Sequence, residues 1–280
     1  MKFPERLQQL IIENKSVLCV GLDPDLAKIP QLFKGANEAE TVANFCKAVI
    51  EATKQSCIAY KPNLAFFEAL GDEGLAIYHS VIRAVPNTHL VISDAKRGDI
   101  GNTAAHYEKA IFGHSKADAI TVNPLMGFDS VAPYGQHEDK AVFGLAYTSN
   151  KGAEDFFSQI MADGKNFSIH VAQKLAQLNN ELSTHIGMVV GATQAQVIKP
   201  VLEAHPTACL LIPGIGAQGG SVQELAKVLK FHKAPVLINS SRAIIYAANN
   251  VSNMPEWKEI TCKAAQNMNA DLIEITQYYV

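Results

Sequence analysis

Apolar residues along this chain fall into short continuous runs, without the alternation of a half-exposed strand. Eight such runs, rich in β-branched residues, recur: SVLCVGLD (16–23), CIAYK (57–61), HLVISDAK (89–96) and DAITVN (118–123), then AVFGLAY (141–147), GMVVGAT (187–193), CLLIPG (209–214) and PVLINSS (235–241). Continuous runs of this length suit strands covered on both faces, and therefore a parallel sheet. The stretches between them carry helical periodicity. In SVQELAKVLK, Val222, Leu225 and Leu229 keep one apolar face, and Ser221 with Glu224 has the spacing of a capping box. A last helix is predicted to start near Pro255, a residue suited to a first turn, and to run through EWKEITCKAAQNMNADLIEI. Eight strand–helix repeats predict one (β/α)₈ TIM barrel domain over residues 1–280, with a doubly wound open sheet as the alternative. The longest irregular segment, 148–166, has a length that often accompanies function.

Composition narrows the classes of function. With 48% hydrophobic residues in 280, the chain can bury a full core. A net charge of −3 with no basic block gives no case for a nucleic-acid partner. No apolar run approaches the roughly 20 residues of a membrane-spanning helix. The opening MKFPERLQQLIIEN places Lys2, Glu5 and Arg6 where a signal peptide needs an apolar core. Cys19, Cys46, Cys57, Cys209 and Cys262 are scattered, odd in number and free of C-x-x-C spacing. They read as core residues in a reducing compartment, so a cytoplasmic location is expected, with neither disulfides nor a zinc site.

Polar groups collect at one end of the strands. Asp23, Lys61, Asp94, Lys96, Asn123, Ser149, Thr193 and Arg242 all fall at or just past a predicted carboxyl end, the rim on which barrel active sites form. Asp94 and Lys96 are two apart on an extended strand, so both would face the mouth. A purely structural ion pair there contributes little once desolvation is counted. Lys61 from the neighbouring strand and Asp99 from the following turn extend the pair to an alternating Lys–Asp–Lys–Asp array, the kind of mutually perturbing charge cluster that marks sites. Asp99 also suits a helix N-cap near Ile100, and Arg97 reads as a solvated charge. A second constellation lies after strands seven and eight. PGIGAQGGS from 213 and NSSRAIIY from 239 bring glycines, Ser241 and Arg242 to two helix starts, the usual phosphate position of this barrel. Arg242 can offer a bidentate fork to a dianion.

DAKRGDIGNTA (94–104) carries D-x-K-x-x-D, and the chain at that motif resembles the orotidine 5′-phosphate decarboxylase family. GLDPD (21–25), YKPNLAFFE (60–68), TSNKGAEDF (148–156), PGIGAQGG (213–220) and SSRAIIYA (240–247) resemble further family segments in the expected order. KPNLAFFE points to the longer-chain bacterial branch, type 2. The resemblance runs from about residue 3 to 247. It implies Lys61, Asp94 and Lys96 as the catalytic group of one subunit, with Asp99 and Thr103 reaching into the site of a partner in a homodimer. It further implies Asp23 on a ribose hydroxyl, Ser149 at the pyrimidine edge, and Gln218, Ser241 and Arg242 at the phosphate. Lys151 stands where the family commonly has proline and Asn102 where it has serine, which bears on the loops and not on the implied catalytic positions.

The implied reaction is decarboxylation of orotidine 5′-monophosphate to uridine 5′-monophosphate and carbon dioxide, a step of pyrimidine biosynthesis, without cofactor or metal. Lys96 would stabilise a carbanion at C6 and then protonate it. Asp94 would either repel the departing carboxylate or order Lys96 electrostatically. The rival enzyme class, metal-dependent sugar-phosphate decarboxylases and aldol-type synthases, shares the strand-three motif. It places a carboxylate at the end of strand two, where this chain has Lys61. A Schiff base on Lys96 would need a depressed pKa, which flanking aspartates oppose. A non-catalytic phosphoribosyl-binding barrel would need the phosphate loops but not Lys96.

Overall fold

The computed structural model of the protein describes residues 1–192, 195–215 and 221–280. Among them, all eight apolar runs form strands: β1 (Leu18–Leu22), β2 (Ala59–Pro62), β3 (Leu90–Arg97), β4 (Ala119–Val122), β5 (Ala141–Tyr147), β6 (His185–Val190), β7 (Leu210–Pro213) and β8 (Val236–Ser240). Each pairs in parallel with its sequence neighbour, and β8 returns to β1 with Leu18 opposite Ile238. That closure makes the chain a (β/α)₈ TIM barrel and removes the open-sheet alternative. The strands are buried almost end to end, which is why they read as continuous apolar runs.

Two expectations at the element ends are corrected. The Ser221–Glu224 box is half formed: the Ser221 hydroxyl accepts the Glu224 N–H at 3.3 Å, while the Glu224 carboxylate takes Lys227 at 2.5 Å and does not reach back. The last helix begins in the first turn with Pro255, as expected, but ends at Asp271, and Ile273–Thr276 forms a separate turn. Fully buried Leu272 stands at that break.

The N-terminal helix Phe3–Asn14 covers the end of the barrel away from the polar rim. Phe3 meets Phe143 of β5 edge-on at 6.0 Å. Arg6 donates to Asp118 Oδ1 at 2.7 Å and to the His89 carbonyl at 3.3 Å. Asp118 in turn accepts the Val91 N–H at 2.8 Å, so this charged group is structural. On the outer wall, buried Trp257 packs edge-on against Phe33 at 4.6 Å and Phe45 at 6.2 Å.

β6 starts at His185, two residues before its apolar run. The ring belongs there because its Nε2 accepts the Cys209 N–H at 2.9 Å. Burial pushes the His185 pKa down from 6.5 to about 4, and His205 adds to the effect. Above about pH 6.5 the ring is neutral folded or unfolded, and nothing is lost. As pH falls from 6.5 towards 4, only the unfolded chain gains the proton, and stability drops by up to about 3 kcal/mol. Denaturant unfolding at pH 7 and pH 4.5 is expected to show this loss, with a smaller loss in His185→Gln. Equal losses in the two proteins would remove His185 from the account.

Candidate active site

β3 does not run straight to its end. Ser93 lies opposite Ile120 of β4, yet Arg97 lies opposite Val122. Four steps on β3 therefore accompany two on β4, a bulge of the kind that re-aims side chains. Within it Lys96 has φ 45°, a left-handed backbone that costs a residue with a Cβ about 1–2 kcal/mol. Asp94 and Lys96 do meet, as alternation predicts, but within a bulge and not along a straight strand. Lys96 Nζ lies 2.5 Å from Asp94 Oδ1, and Lys61 Nζ lies 2.5 Å from Asp94 Oδ2. Gly98 closes the turn, where a Cβ would stand 2.6 Å from the Asn123 carbonyl oxygen.

The electrostatics follow from this sandwich. Burial pushes the Asp94 carboxyl up, but the charges of Lys61 and Lys96 and their hydrogen bonds together outweigh it and hold its pKa far below the usual range. Burial pushes Lys61 down, and Asp94 and Asp23 more than restore it, so its pKa is raised. Asp94 is an anion and Lys61 a cation at any working pH. The Lys61 side chain is 6% exposed and that of Lys96 51%, so Lys96 is the more accessible of the two lysines that line the cavity. Asp23 lines the same mouth, so the two lysines face two carboxylates there, Asp94 between them and Asp23 beside Lys61.

That cavity, about 430 Å³, is lined by Asp23, Lys61, Asp94, Lys96 and Ser149 together with Asn63, Thr121, Leu145, Asn239 and others, a size suited to a small ligand. Asp23 Oδ1 is buried with no hydrogen-bond partner among the described residues. Such an acceptor is costly unless a ligand donor meets it. Its backbone is pinned by Tyr246, whose hydroxyl donates to the Asp23 carbonyl at 2.7 Å and accepts the Asp25 N–H at 2.6 Å. The Tyr246 ring stacks on Phe45 at 5.7 Å.

Other expected residues stand elsewhere. Asp99 and Thr103 do not line the cavity of their own chain; Asp99 Oδ1 accepts its neighbour's N–H, that of Ile100, at 2.8 Å. Ile100, not Asp99, is the N-cap of the helix Gly101–Glu108. Ser241 and Arg242 lie just past the lining residue Asn239. The Ser241 hydroxyl donates to the Gly21 carbonyl at 3.1 Å, and a Cβ on Gly21 would come within 2.7 Å of Ser241 Cβ. Arg242 is exposed at the start of the Arg242–Ile245 turn. Gln218 and Thr193 lie outside the described residues. The Asn123 side chain caps the turn Pro124–Met126 by accepting the Leu125 N–H at 3.1 Å, and Asn123 does not line the cavity. Arg97 is not simply solvated, since it pairs with Glu68 and its guanidinium lies 4.9 Å over the Tyr107 ring. The segment 148–166 is partly ordered by the turn Lys151–Asp155 and a bridge between Ile160 and Asn166.

Asn63, Thr121, Asn239 and Tyr246 were not singled out from the sequence. Asn239 carried a signal, as a polar residue directly after the apolar stretch Val236–Ile238; Thr121 carried none, since a β-branched residue is ordinary in a strand.

Residues 16–256 match the model of the orotidine 5′-phosphate decarboxylase / HUMPS family. Among curated relatives, the orotidine 5′-phosphate decarboxylase of Phocaeicola vulgatus is 42% identical over 275 residues, covering 97% of this chain and 98% of that one. That of Porphyromonas gingivalis is 42% identical over 242 residues, covering 85% and 86%. Among solved structures, Leishmania donovani OMP decarboxylase superposes with a TM-score of 0.83 at 36% identity, covering 98% of this chain and all of the other. With the eight-stranded barrel, the lysine–aspartate–lysine sandwich at its mouth and relatives of this likeness over nearly the whole length, the chain belongs to the orotidine 5′-phosphate decarboxylase / HUMPS family.

Proposed function

We infer that the protein removes the carboxylate from C6 of orotidine 5′-monophosphate, giving uridine 5′-monophosphate and carbon dioxide, with Lys96 as the proton donor to C6. The observation that carries this reading is the Lys61–Asp94–Lys96 sandwich. Loss of carbon dioxide leaves an electron pair on C6 with little resonance relief, so the site must favour the transition state over the substrate. The Lys96 ammonium attracts that pair as it develops and then transfers a proton to it, forming the C6–H bond and leaving a neutral amine. Asp94, held anionic, lies where the substrate carboxylate must come, and their repulsion falls as neutral carbon dioxide departs. Lys61 keeps Asp94 charged and in place. Asp23, whose Oδ1 has no partner among the described residues, suits a ribose hydroxyl; Ser149 suits the pyrimidine edge, and Ser241, Gln218 and Arg242 the phosphate.

Asp99 and Thr103 belong, in this reading, to the site of a second copy in a homodimer. Large apolar side chains on the neighbouring loops, Ile100, Leu125 and Met126, are each about half exposed, as expected of a face that a partner covers. No helix among the described residues is long and apolar enough to cross a membrane. The five cysteines are free thiols, which suits the proposed cytoplasmic setting.

The metal-dependent alternative meets a physical obstacle. Both oxygens of Asp94 already carry an ammonium at 2.5 Å, and Lys61 puts a cation where a second carboxylate would be needed to hold Mg²⁺. Protein freed of metal by exhaustive chelation is therefore expected to convert orotidine 5′-monophosphate, followed by ultraviolet absorbance, at an unchanged rate. A rate that collapses and returns with added Mg²⁺ would assign the chain to the metal-dependent class.

A further inference from the structure

Thr121 sits in the middle of β4, 2% exposed, in a run where its β-branched shape alone would justify its presence. Its hydroxyl makes two contacts that a core threonine does not need. It donates to Asp94 Oδ1 at 3.0 Å, and it accepts the backbone N–H of Lys96 at 3.0 Å. The directions are fixed, because an anionic carboxylate can only accept and an amide N–H can only donate.

The Lys96 backbone is one that the strand ladder alone does not hold. The register jump between Ser93 and Arg97 takes Lys96 out of step with the β4 ladder, and the Thr121 oxygen meets its N–H instead. Lys96 also has a left-handed backbone, which persists only if its surroundings impose it. Asp94 Oδ1 is the same oxygen that takes Lys96 Nζ. One hydroxyl thus touches the carboxylate and the main chain of the lysine together, and the stiff χ1 of threonine keeps it there.

We propose that Thr121 is a positioning residue for the decarboxylation, its hydroxyl fixing the bulged backbone of Lys96 and the carboxylate of Asp94 in one geometry. This rests on the roles given above to Lys96 and Asp94. In that reading the substrate's phosphate and ribose are held by other loops, so Thr121 acts on the chemical step and not on affinity.

The test compares Thr121→Val, which keeps shape and removes the hydroxyl, with Thr121→Ser, which keeps the hydroxyl and removes a methyl. The valine protein is expected to lose roughly 10²-fold in kcat, the scale of a small misplacement of a reacting group. Its KM and its affinity for uridine 5′-monophosphate should stay within about threefold of wild type, about 0.7 kcal/mol. The serine protein should recover most of the loss. A merely structural role predicts the opposite order, with serine no better than valine and kcat intact in whatever folds. Should the valine protein fail to fold, Thr121→Cys, with a much weaker donor, carries the same expectation. Lys96→Ala measured alongside separates the two ways of failing. An inactive Lys96→Ala with a fully active Thr121→Val overturns the positioning role alone; an active Lys96→Ala overturns the reading beneath it.

Discussion

Lys96→Ala is expected to fold as the wild type does and to lose at least about 10⁴-fold in kcat. The figure combines a general acid, worth about 10²–10⁴, with the electrostatic stabilisation of a developing charge, worth about 10²–10³. Folding should survive because the Lys96 side chain is half exposed and because Asp94 keeps Lys61 at 2.5 Å and Thr121 at 3.0 Å after the change. Removing the other lysine is a different experiment. Lys61 is buried against Asp94, and Lys61→Ala leaves a buried carboxylate with its main counter-charge gone, a lesion of about 3–5 kcal/mol. Lys96→Ala should therefore separate chemistry from stability, while Lys61→Ala damages both. Binding of uridine 5′-monophosphate, measured calorimetrically, should be nearly unchanged in Lys96→Ala. Turnover within about tenfold of wild type, or about 1.4 kcal/mol of barrier, would end the proposed role.

Asp99→Ala and Lys96→Ala should each be nearly inactive alone and should rescue one another when mixed. In its own chain Asp99 stays outside the cavity, beside exposed Ile100. If it completes the site of a second copy across a twofold interface, a heterodimer of the two variants carries both lesions in one site and neither in the other. Each heterodimer should then show about half the wild-type activity. Random exchange of an equal mixture makes half the dimers mixed, so the solution should reach about one quarter of wild type. Exchange can be verified independently by native mass spectrometry on subunits of distinguishable mass. Complete exchange with no recovered activity would place Asp99 in the service of its own subunit.

Much of the barrel was legible because burial on both faces writes itself into strands as unbroken apolar runs, and each of the eight was found. The array at Lys61, Asp94 and Lys96 was legible because charges at a strand end are hard to explain by packing. What escaped depends on contacts distant in sequence or on backbone shape. Arg97 looked solvated because its partner, Glu68, lies 29 residues earlier. Tyr246 pins the Asp23 loop from 223 residues away. Thr121 was hidden by its own β propensity, which makes a functional hydroxyl and an ordinary strand residue look alike. The bulge left no mark in the alternation argument, which reached the correct pairing of Asp94 and Lys96 through an idealised strand that the chain does not have. Nothing in a half-formed capping motif announces that Glu224 will prefer Lys227 to its own cap.

The left-handed backbone at Lys96 bears on how such a chain can change over generations. Glycine is the residue for which φ 45° is nearly free, whereas lysine or alanine there carries a penalty of about 1–2 kcal/mol. Glycine returns part of that gain through the greater freedom of its unfolded state, about 0.4–1 kcal/mol. At this position the residue proposed to carry turnover is thus not the one that best suits the fold. A duplicated copy released from selection for activity would meet little thermodynamic resistance in losing Lys96, and could drift into an intact barrel that still holds nucleotide but no longer reacts with it.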